Sequence, residues 1–531
     1  MNGWQTLDTL NGLLEASARR KPDAWISWAG ETRRTYSDFL HASRCCATAL
    51  GSLGVKKGDR IAFWAPNSDA YLDLFLGAIQ IGAIAVPVNT RYGAAEVGAA
   101  LGHTRPGVLV MDPGFHGIAF EDILSAIDAG QLTSIHTILV CGEHGLSGSV
   151  LPSVQRVNHP WALSHSPSFV QPLADDECAI FTTSGTTSGP KYAVHTHGSI
   201  ARHARDVSRA FHYDDPDAVL LHTLPFCGIF GFSQLSATIA AGASSVFFPL
   251  FDAESCGRTI QAYQVTHTSG TDDLLKRILI SAKEDRPFPS LRECVYAGFN
   301  PALARFPEEA ERRGMALIGC FGMSEIHSFF SRQEGSLPVE KRKIPGGRPV
   351  SDHVRVRARN TDTGQIAPHG EIGELEIFSK DLFSYYFEQP AATQKAFTED
   401  GFFRSGDFGR TFADGTFEFL GRRGDFMRLG GFMVNPREIE ETLQALDAVE
   451  TAIVVDAPHV NGTRAVAFVK LAPHKSWDVP GMLSHCRKNL ANFKVPSIFV
   501  QVDDFPITMG ANGEKIQRNK LKTQASALLS E

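Results

Sequence analysis

Hydroxyl-bearing residues and glycines are concentrated in residues 181–197, FTTSGTTSGPKYAVHTH. The glycines let backbone N–H groups turn towards one point, and the hydroxyls add further donors, so this stretch can surround a phosphate oxygen. Lys191 adds a positive charge, but Pro190 before it and Tyr192 after it distinguish the stretch from a Walker A loop. The alternative interpretation is a flexible surface loop. The candidate phosphate-binding residues are Thr183, Ser184, Gly185, Thr186, Thr187, Gly189 and Lys191.

Three more motifs follow this stretch in order along the chain. They are GCFGMSE at residues 319–325, SGD at residues 405–407 with GRRGDFMRLGGFMVNPREIE at residues 421–440, and NGEKIQRNKL at residues 512–521. Together with TSGTTSGPKY, they resemble the motifs of the adenylate-forming superfamily, which includes acyl- and aryl-CoA synthetases, adenylation domains of peptide synthetases and beetle luciferases. The resemblance implies an AMP-forming acyl- or aryl-CoA synthetase that uses ATP, Mg²⁺ and coenzyme A.

The resemblance assigns roles in a first half-reaction, in which a carboxylate attacks the α-phosphorus of ATP. The loop ending at Lys191 embraces the β- and γ-phosphates, and Glu325 binds Mg²⁺ through hard carboxylate oxygens. Lys515 is the catalytic lysine that stabilises the α-phosphate and the substrate carboxylate. The further residues that the resemblance places around the nucleotide are Gly298, Phe299, Asn300, Phe321, Gly322, Ser324, Asp407 and Arg422.

Four positions depart from the motifs of the superfamily. Ser188 displaces the second glycine of the phosphate loop, and Glu514 stands where a glycine usually precedes the catalytic lysine. Gly228 replaces a common histidine. Gly424 occupies the position of the pivot between domains, where Asp or Lys is usual; glycine permits a backbone rotation but stabilises neither end state electrostatically. The loop after this pivot, which the resemblance brings against the pantetheine arm of the thiol, contains Gly430 and Gly431.

The stretch LPFCGIFGF at residues 224–232 resembles the acyl-pocket motif of the superfamily. The missing imidazole at Gly228 leaves room near the substrate carboxylate, and the neighbouring side chains are mostly apolar. These features favour a bulky apolar acid, which is aryl, alicyclic or medium-chain, over acetate. The residues expected to bind it are Phe226, Cys227, Gly228, Phe230, Phe299 and Ile326, with His327 as one polar element.

The overall composition is that of an ordinary globular protein. The 531 residues include 43 % hydrophobic and 21 % charged residues, and the net charge is −7, which argues against a nucleic-acid-binding surface. Nine cysteines without a CxxC pair indicate neither a zinc site nor a disulfide framework, so a reducing cytoplasm is the expected location. The apolar stretch at residues 74–88 is too short to span a bilayer, so no membrane span is expected.

Strand and helix patterns alternate through the first two thirds of the chain. Residues 60–64 predict a strand, residues 68–81 a helix capped by Asn67 or Ser68, and residues 83–88 a second strand. This β-α-β order implies parallel strands with helices on both faces. From residue 354 short strands and turns dominate, and after a break at residues 421–424 a small α+β segment follows.

The expected fold is therefore α/β, with at least two domains because one core rarely organises 531 residues. Combined with the resemblance, it has a large N-terminal domain, residues 1–422, in which parallel-rich sheets are sandwiched by helices and accompanied by a distorted β-barrel. A hinge joins this domain to a small α+β lid domain, residues 423–531.

Two alternatives to acyl transfer onto coenzyme A stay open at this point. The acyl group could pass instead to the thiol of a carrier protein, or the chain could be a binding protein that kept the fold and lost turnover. His195 and His197 alternate on an expected strand, where both side chains would lie on one face, but no cysteine or carboxylate completes a zinc site nearby. We expect no metal at these histidines.

Overall fold

The computed structural model describes 10 segments of the chain. They are residues 8–28, 33–115, 118–142, 154–158, 171–183, 190–300, 303–429, 432–459, 462–510 and 513–530.

Fifteen α-helices lie in these segments. In chain order they are α1 (Leu10–Arg20), α2 (Tyr36–Ser52), α3 (Asp69–Gln80), α4 (Ala94–Thr104), α5 (Phe120–Ser125), α6 (His197–Ala210), α7 (Ile229–Ala241), α8 (Ala253–Tyr263), α9 (Asp272–Ser281), α10 (Phe306–Arg312), α11 (Val339–Arg342), α12 (Pro390–Ala396), α13 (Pro436–Gln444), α14 (Val479–Asn489) and α15 (Arg518–Ser530).

The strands of the same segments form two large sheets and three small ones. In chain order they are β1 (Trp25–Trp28), β2 (Arg33–Thr35), β3 (Arg60–Trp64), β4 (Ile84–Pro87), β5 (Val108–Met111), β6 (Thr137–Val140), β7 (Gln155–Asn158), β8 (Glu177–Thr183), β9 (Lys191–Thr196), β10 (Val219–His222), β11 (Ser244–Phe247), β12 (His267–Thr271), β13 (Glu293–Ala297), β14 (Leu317–Met323), β15 (His327–Arg332), β16 (Gly346–Pro349), β17 (Arg355–Arg359), β18 (Gly373–Phe378), β19 (Tyr385–Tyr386), β20 (Phe403–Thr411), β21 (Phe417–Arg422), β22 (Met427–Leu429), β23 (Phe432–Val434), β24 (Val449–Ala457), β25 (Arg464–Leu471), β26 (Ile498–Gln501), β27 (Ile507–Gly510) and β28 (Gly513–Ile516).

One large sheet has eight strands in the order β19-β9-β8-β4-β3-β5-β6-β7. The strands from β8 to β7 run parallel, as the alternating pattern predicts, and the predicted strand over residues 60–64 is confirmed as β3. The helix after it begins at Asp69, because the Ser68 hydroxyl accepts the backbone N–H of Tyr71 and caps its first turn. At the other end, β9 pairs antiparallel with β8, and β19 pairs antiparallel with β9.

The second large sheet has 13 strands and joins a parallel part to an antiparallel part. The strands β1, β11, β10, β12, β13 and β14 are parallel neighbours. The sheet then continues through the antiparallel strands β15, β16, β21, β20, β18 and β17. The expectation of a barrel is wrong in this respect, because these strands extend an open sheet and no closed barrel forms among the described strands. The outer edge of β17 is partly covered, because Arg359 bridges Ile366 and the Ala358 carbonyl accepts the N–H of Ala367 at 2.8 Å.

The largest hydrophobic core connects the two large sheets. It contains side chains of β3 and β8 from one sheet and of β1 and β11 from the other, together with those of α2, α3 and α7. Phe75 of α3 meets Phe232 of α7 with ring centroids 5.5 Å apart. These helices therefore lie between the sheets, and they fix the relative positions of the strand ends that carry the motifs.

The C-terminal part of the chain forms a small α+β domain around the sheet β24-β25-β26. Its core consists of two hydrophobic clusters that involve α13, α14 and α15. The buried Glu440 of α13 pairs with Arg518 of α15 at 2.8 Å and so joins the two helices. The expected break at residues 421–424 lies slightly later, because β21 continues through Arg422 and a 3₁₀ turn follows over Arg423–Asp425.

All nine cysteines lie in the described segments as free thiols. Among the helices described, none is long and apolar enough to cross a membrane.

Candidate active site

The hairpin β8–β9 carries the ends of the candidate phosphate loop. Thr183 is the last residue of β8 and pairs with Lys191, the first residue of β9. The intervening candidates Ser184, Gly185, Thr186, Thr187 and Gly189 lie outside the described residues. Residues 178–181 of β8, directly before the loop, are buried. This pairing holds Lys191 at the base of the loop.

Tyr386 lies between the two charged residues expected to act on the phosphates. The Nζ atom of Lys191 is 4.8 Å from the centroid of the Tyr386 ring, a distance at which a cation is attracted to an aromatic face. The Tyr386 hydroxyl donates a hydrogen bond of 2.7 Å to Oε1 of the buried Glu325. Burial, reinforced by the negative charge of Glu325, raises the pKa of Tyr386, so its hydroxyl keeps the proton it donates.

The turn of the β14–β15 hairpin holds Glu325 in place. The Glu325 carbonyl accepts the backbone N–H of Phe383 at 2.8 Å, and the Ser324 carbonyl accepts Nε2–H of His195 at 2.7 Å. Gly322 faces the opposite strand so closely that a Cβ atom would lie 2.5 Å from the Cα of Ser328. Glycine is therefore required here by packing, and three contacts fix where the carboxylate emerges.

Asp407 and Arg422 form an ion pair on neighbouring strands. They face each other across β20 and β21, and Nη1 of Arg422 lies 3.1 Å from Oδ1 of Asp407 without hydrogen-bond alignment. Burial raises the pKa of Asp407 to about 7, Arg422 opposes the shift, and the negative charge of Glu325 adds to it. The charge of Glu325 is therefore close enough to Asp407 to influence its protonation.

Phe321 of β14 lies at the edge of an aromatic group. Its ring centroid is 5.5 Å from that of Phe417 and 5.3 Å from that of Phe419, and its side chain is largely buried. An aromatic surface of this kind suits a purine ring.

The segment after β13 contains Gly298, Phe299 and Asn300 and is held by a residue that the sequence motifs did not identify. Oδ2 of Asp272, at the start of α9, accepts the backbone N–H groups of Phe299 at 3.0 Å and Asn300 at 2.8 Å. Burial raises the pKa of Asp272 to about 6, and the backbone donors oppose that shift. The Phe299 side chain is 48 % exposed, so it is accessible to a ligand. The sequence did not predict a role for Asp272, because its hydrogen bonds to Phe299 and Asn300 join residues 27 and 28 positions apart in the chain.

The residues expected to line the acyl pocket differ in exposure. Phe226 is fully buried, and its ring centroid lies 5.5 Å from His222 and 5.6 Å from Phe247, so it belongs to the core in this structure. Phe230 packs against Phe329 at 5.0 Å. Both Phe230 and Ile326 are buried, whereas Cys227 is half-buried and Gly228 caps the start of α7.

Three imidazoles are stacked beneath the Glu325 turn. The His327 ring lies 4.2 Å from that of His195 and 4.7 Å from that of His203. Burial lowers the pKa of His195 to about 4 and also lowers that of His327, so the stack is uncharged at neutral pH. The expectation that His195 and His197 share one face of a strand is wrong, because β9 ends at Thr196 and His197 begins α6.

The last two groups of candidates lie in the C-terminal domain. Lys515 is part of β28 and pairs with Thr508 of β27; its side chain is outside what the structure describes. Gly430 and Gly431 also lie outside the described residues. Gly424 lies in the 3₁₀ turn, where its carbonyl accepts a hydrogen bond of 3.2 Å from Lys522.

Tyr386 is not among the residues that the sequence motifs predict, although it contacts both Lys191 and Glu325. The only signal was the tyrosine pair in SYYF at residues 384–387. Nothing in that pattern indicates that β19 will pair with β9 and so bring the hydroxyl of Tyr386 to Glu325.

Comparison with known proteins identifies the family of the chain. Residues 14–387 match the family described as AMP-binding enzyme, and residues 438–511 match the AMP-binding enzyme C-terminal domain. A putative acyl-CoA synthetase, YngI of Bacillus subtilis, is 28 % identical over 97 % of this chain and 96 % of its own. A crotonobetaine/carnitine–CoA ligase of Salmonella paratyphi A is 28 % identical over 91 % of this chain and 92 % of its own.

A solved structure has a similar fold. The ATP-bound MatB from Rhodopseudomonas palustris superposes with a TM-score of 0.83 at 25 % identity, covering 98 % of this chain and 100 % of its own. Since the family match covers well over half of the sequence, the chain belongs to the AMP-binding enzyme family, within the adenylate-forming superfamily.

Proposed function

We propose that this protein joins a carboxylic acid to coenzyme A in two steps, through an acyl-adenylate. Its general reaction class is that of an AMP-forming acid–thiol ligase, and its family membership supports this assignment. The observation that carries the proposal is the arrangement of Lys191, Tyr386 and Glu325, in which one tyrosine contacts a cation through its ring and a carboxylate through its hydroxyl. Such a site can hold a polyphosphate and its counter-ion.

In the first step, a carboxylate oxygen of the acid forms a bond to the α-phosphorus of ATP, and the bond to the pyrophosphate oxygen breaks. Both reactants are negatively charged, so the site must neutralise charge and align the reacting atoms. Lys191 and the loop from Thr183 would hold the β- and γ-phosphates. Asp407, as a carboxylate, would accept the ribose hydroxyls, with Arg422 beside it and Phe321 against the adenine.

The donor chemistry of the site fits Mg²⁺. Glu325 is a buried carboxylate with one oxygen bonded to Tyr386, and Mg²⁺ is commonly bound by one or two carboxylates together with phosphate oxygens and water. A bound Mg²⁺ would neutralise phosphate charge. Tyr386 would orient the Glu325 carboxylate by donating to its Oε1.

The second step would require the small domain to turn. We propose that residues 423–531 rotate about Gly424 relative to residues 1–422, which removes Lys515 from the site and brings the loop with Gly430 and Gly431 to it. The sulfur of coenzyme A would then attack the acyl carbon of the mixed anhydride and release AMP.

We further propose a bulky apolar acid as the substrate. The half-buried Cys227, the absence of a side chain at Gly228 and the accessible ring of Phe299 support an apolar pocket. Phe226 is fully enclosed here, so it would support this pocket from the core side.

The test is a panel of aryl, alicyclic and medium-chain acids with MgATP, in which pyrophosphate and AMP are measured separately, with and without coenzyme A. We expect pyrophosphate release with one acid class and AMP plus thioester only when coenzyme A is present. Lys515→Ala should slow pyrophosphate release at least about 100-fold, whereas Lys520→Ala, five residues later, should leave it unchanged.

Three results would contradict parts of this proposal. Acyl-AMP that accumulates despite coenzyme A would indicate a carrier-protein thiol as the acceptor. ATP binding without turnover on any acid would indicate a binding protein. Normal pyrophosphate release by Lys515→Ala would remove that lysine from the mechanism.

A further inference from the structure

A second group of metal-ligating side chains lies outside the candidate active site. It comprises Asp206 of α6, His353 after β16 and Asp381 after β18. One ligand atom from each residue lies within 4.8 Å of the other two. Because the three residues are far apart in the sequence, the tertiary fold brings them together.

The Asp381 carboxylate has an unsatisfied oxygen. Its side chain is only 4 % exposed, and Oδ1 accepts a hydrogen bond of 2.7 Å from Nε of Arg202. The second oxygen, Oδ2, is buried and has no hydrogen-bond partner within the described segments. A buried carboxylate oxygen without a donor is energetically unfavourable, so this atom favours a bound cation.

The separation of two ligand atoms fits a shared ion. Oδ2 of Asp381 lies 3.2 Å from Nε2 of His353, without the alignment of a hydrogen bond. Two atoms bound to the same tetrahedral zinc ion lie about 3.3 Å apart. The Ser379 Oγ atom is 3.3 Å from the same Nε2. Because Oγ also accepts the backbone N–H of Asp381, the Ser379 hydroxyl keeps a hydrogen-bond partner when Nε2 binds a metal.

Asp206 provides the third ligand and balances the charge. Its Oδ2 accepts a hydrogen bond from the Ser351 hydroxyl, and each carboxylate oxygen has a second lone pair for a metal. Arg209 lies 3.5 Å from its Oδ1 but is 68 % exposed and therefore well screened by solvent. Among the described residues, the two aspartates outweigh the partly buried Arg202 and leave the group negative, which favours a divalent cation.

We propose that Asp206, His353 and Asp381 bind a divalent transition-metal ion, with Zn²⁺ as the best-fitting occupant. Two carboxylates and one imidazole are typical zinc ligands, and a water would complete the tetrahedron. The ion would connect α6, which directly follows β9, to the antiparallel part of the 13-stranded sheet. Its role is structural, and the inference does not depend on the proposed ligase activity.

The test measures Zn²⁺ binding to the full-length protein after chelator treatment, in competition with a chromogenic chelator. We expect one saturable site in the wild-type protein, weakened at least about tenfold in His353→Gln and in Asp381→Asn. The control His485→Gln changes a histidine of α14 in the small domain and should bind Zn²⁺ like the wild type. Zinc should raise the melting temperature of the wild type but not that of His353→Gln.

Two further measurements keep the proposal falsifiable. If Asp381→Asn does not fold, His353→Gln still tests the site, because it keeps the Arg202–Asp381 pair. Co²⁺ should give d–d absorption without a thiolate charge-transfer band, since no cysteine is among the ligands. A thiolate band, the lack of a saturable site in the wild type, or equal Zn²⁺ binding by His353→Gln would overturn the proposal.

Discussion

Tyr386 is the residue through which the two principal charges of the site interact. Its ring contacts Lys191 and its hydroxyl donates to Glu325, so both charged groups are oriented before any ligand arrives. The resemblance to the superfamily predicted the two charged residues but not the tyrosine between them. Local sequence could not reveal it, because the contact depends on the pairing of β19 with β9.

Tyr386→Phe should slow acid-dependent pyrophosphate release about tenfold, because it leaves a buried Glu325 oxygen without its donor. The ring that Lys191 contacts is kept. The matched control is Tyr385→Phe, whose hydroxyl donates to Glu177 instead, and which should change the rate less than about twofold. Equal losses in the two variants would mean that the Tyr386 hydroxyl has no special role.

The buried Asp407 should make the stability of the folded protein depend on pH in a direction that its pKa determines. Burial raises its pKa to about 7, so between about pH 4 and pH 7 the folded protein binds a proton that the unfolded chain has released. In the absence of nucleotide, the stability contribution of Asp407 therefore falls as pH rises through this window. Thermal melting of the wild type and Asp407→Asn from pH 5 to 8 isolates this contribution.

We expect Asp407→Asn to melt above the wild type at pH 8 and close to it at pH 5, while its ATP affinity is at least about tenfold lower because ribose hydroxyls lose a charged acceptor. A constant difference in melting temperature across the pH range would contradict the assigned pKa.

At the scale of elements, local sequence patterns correctly predicted those features of helices and strands that depend on local interactions. Ser68 caps α3 as expected, and the strand over residues 60–64 is confirmed. The barrel expectation failed because the order of the antiparallel strands depends on long-range pairing, such as that between β16 and β21. The conformation of the β14–β15 hairpin could not be predicted from local sequence either. His327 and Phe329 adopt positive φ angles of 63° and 62°, which no local pattern indicates.

The turn at Gly424 predicts different effects for two substitutions. A Cβ atom there would meet nothing within 4 Å, and φ is not in the left-handed region, so Gly424→Ala should keep both half-reactions within about twofold. Gly424→Pro fixes φ and restricts Arg423, so it should slow thioester formation at least about tenfold while pyrophosphate release continues.

Single-turnover formation of thioester from preformed acyl-AMP measures this effect. A wild-type rate in Gly424→Pro would show that the proposed rotation does not pivot at this residue.

At the scale of the whole molecule, polar contacts link the small domain to the large one. Asn435 donates to the Leu420 carbonyl at 3.0 Å, Arg305 donates to the Gln444 carbonyl at 3.0 Å, and Arg428 pairs with Asp362 at 2.6 Å. The pair between Arg428 and Asp362 is mostly exposed and therefore weak. Exposed polar contacts of this kind are compatible with domain motion, although Phe426 also packs against Phe408 of the large domain, with ring centroids 4.8 Å apart.

Brief digestion with trypsin tests the boundary between residues 422 and 423. Arg422 and Arg423 have side chains 50 % and 57 % exposed beside a short turn, so the first cut should follow one of them. ATP should slow this cut if Arg422 contacts the nucleotide. Intact-mass analysis identifies the fragments, and first cuts elsewhere would contradict this boundary.

The alternation of side chains along β9 limits how the chain length can change. Lys191, Ala193 and His195 share one face of the strand, and His195 supports the Ser324 carbonyl next to Glu325. A deletion of Tyr192 would place Lys191 and His195 on opposite faces of the strand. Natural and engineered variants should therefore exclude insertions and deletions between Lys191 and His195.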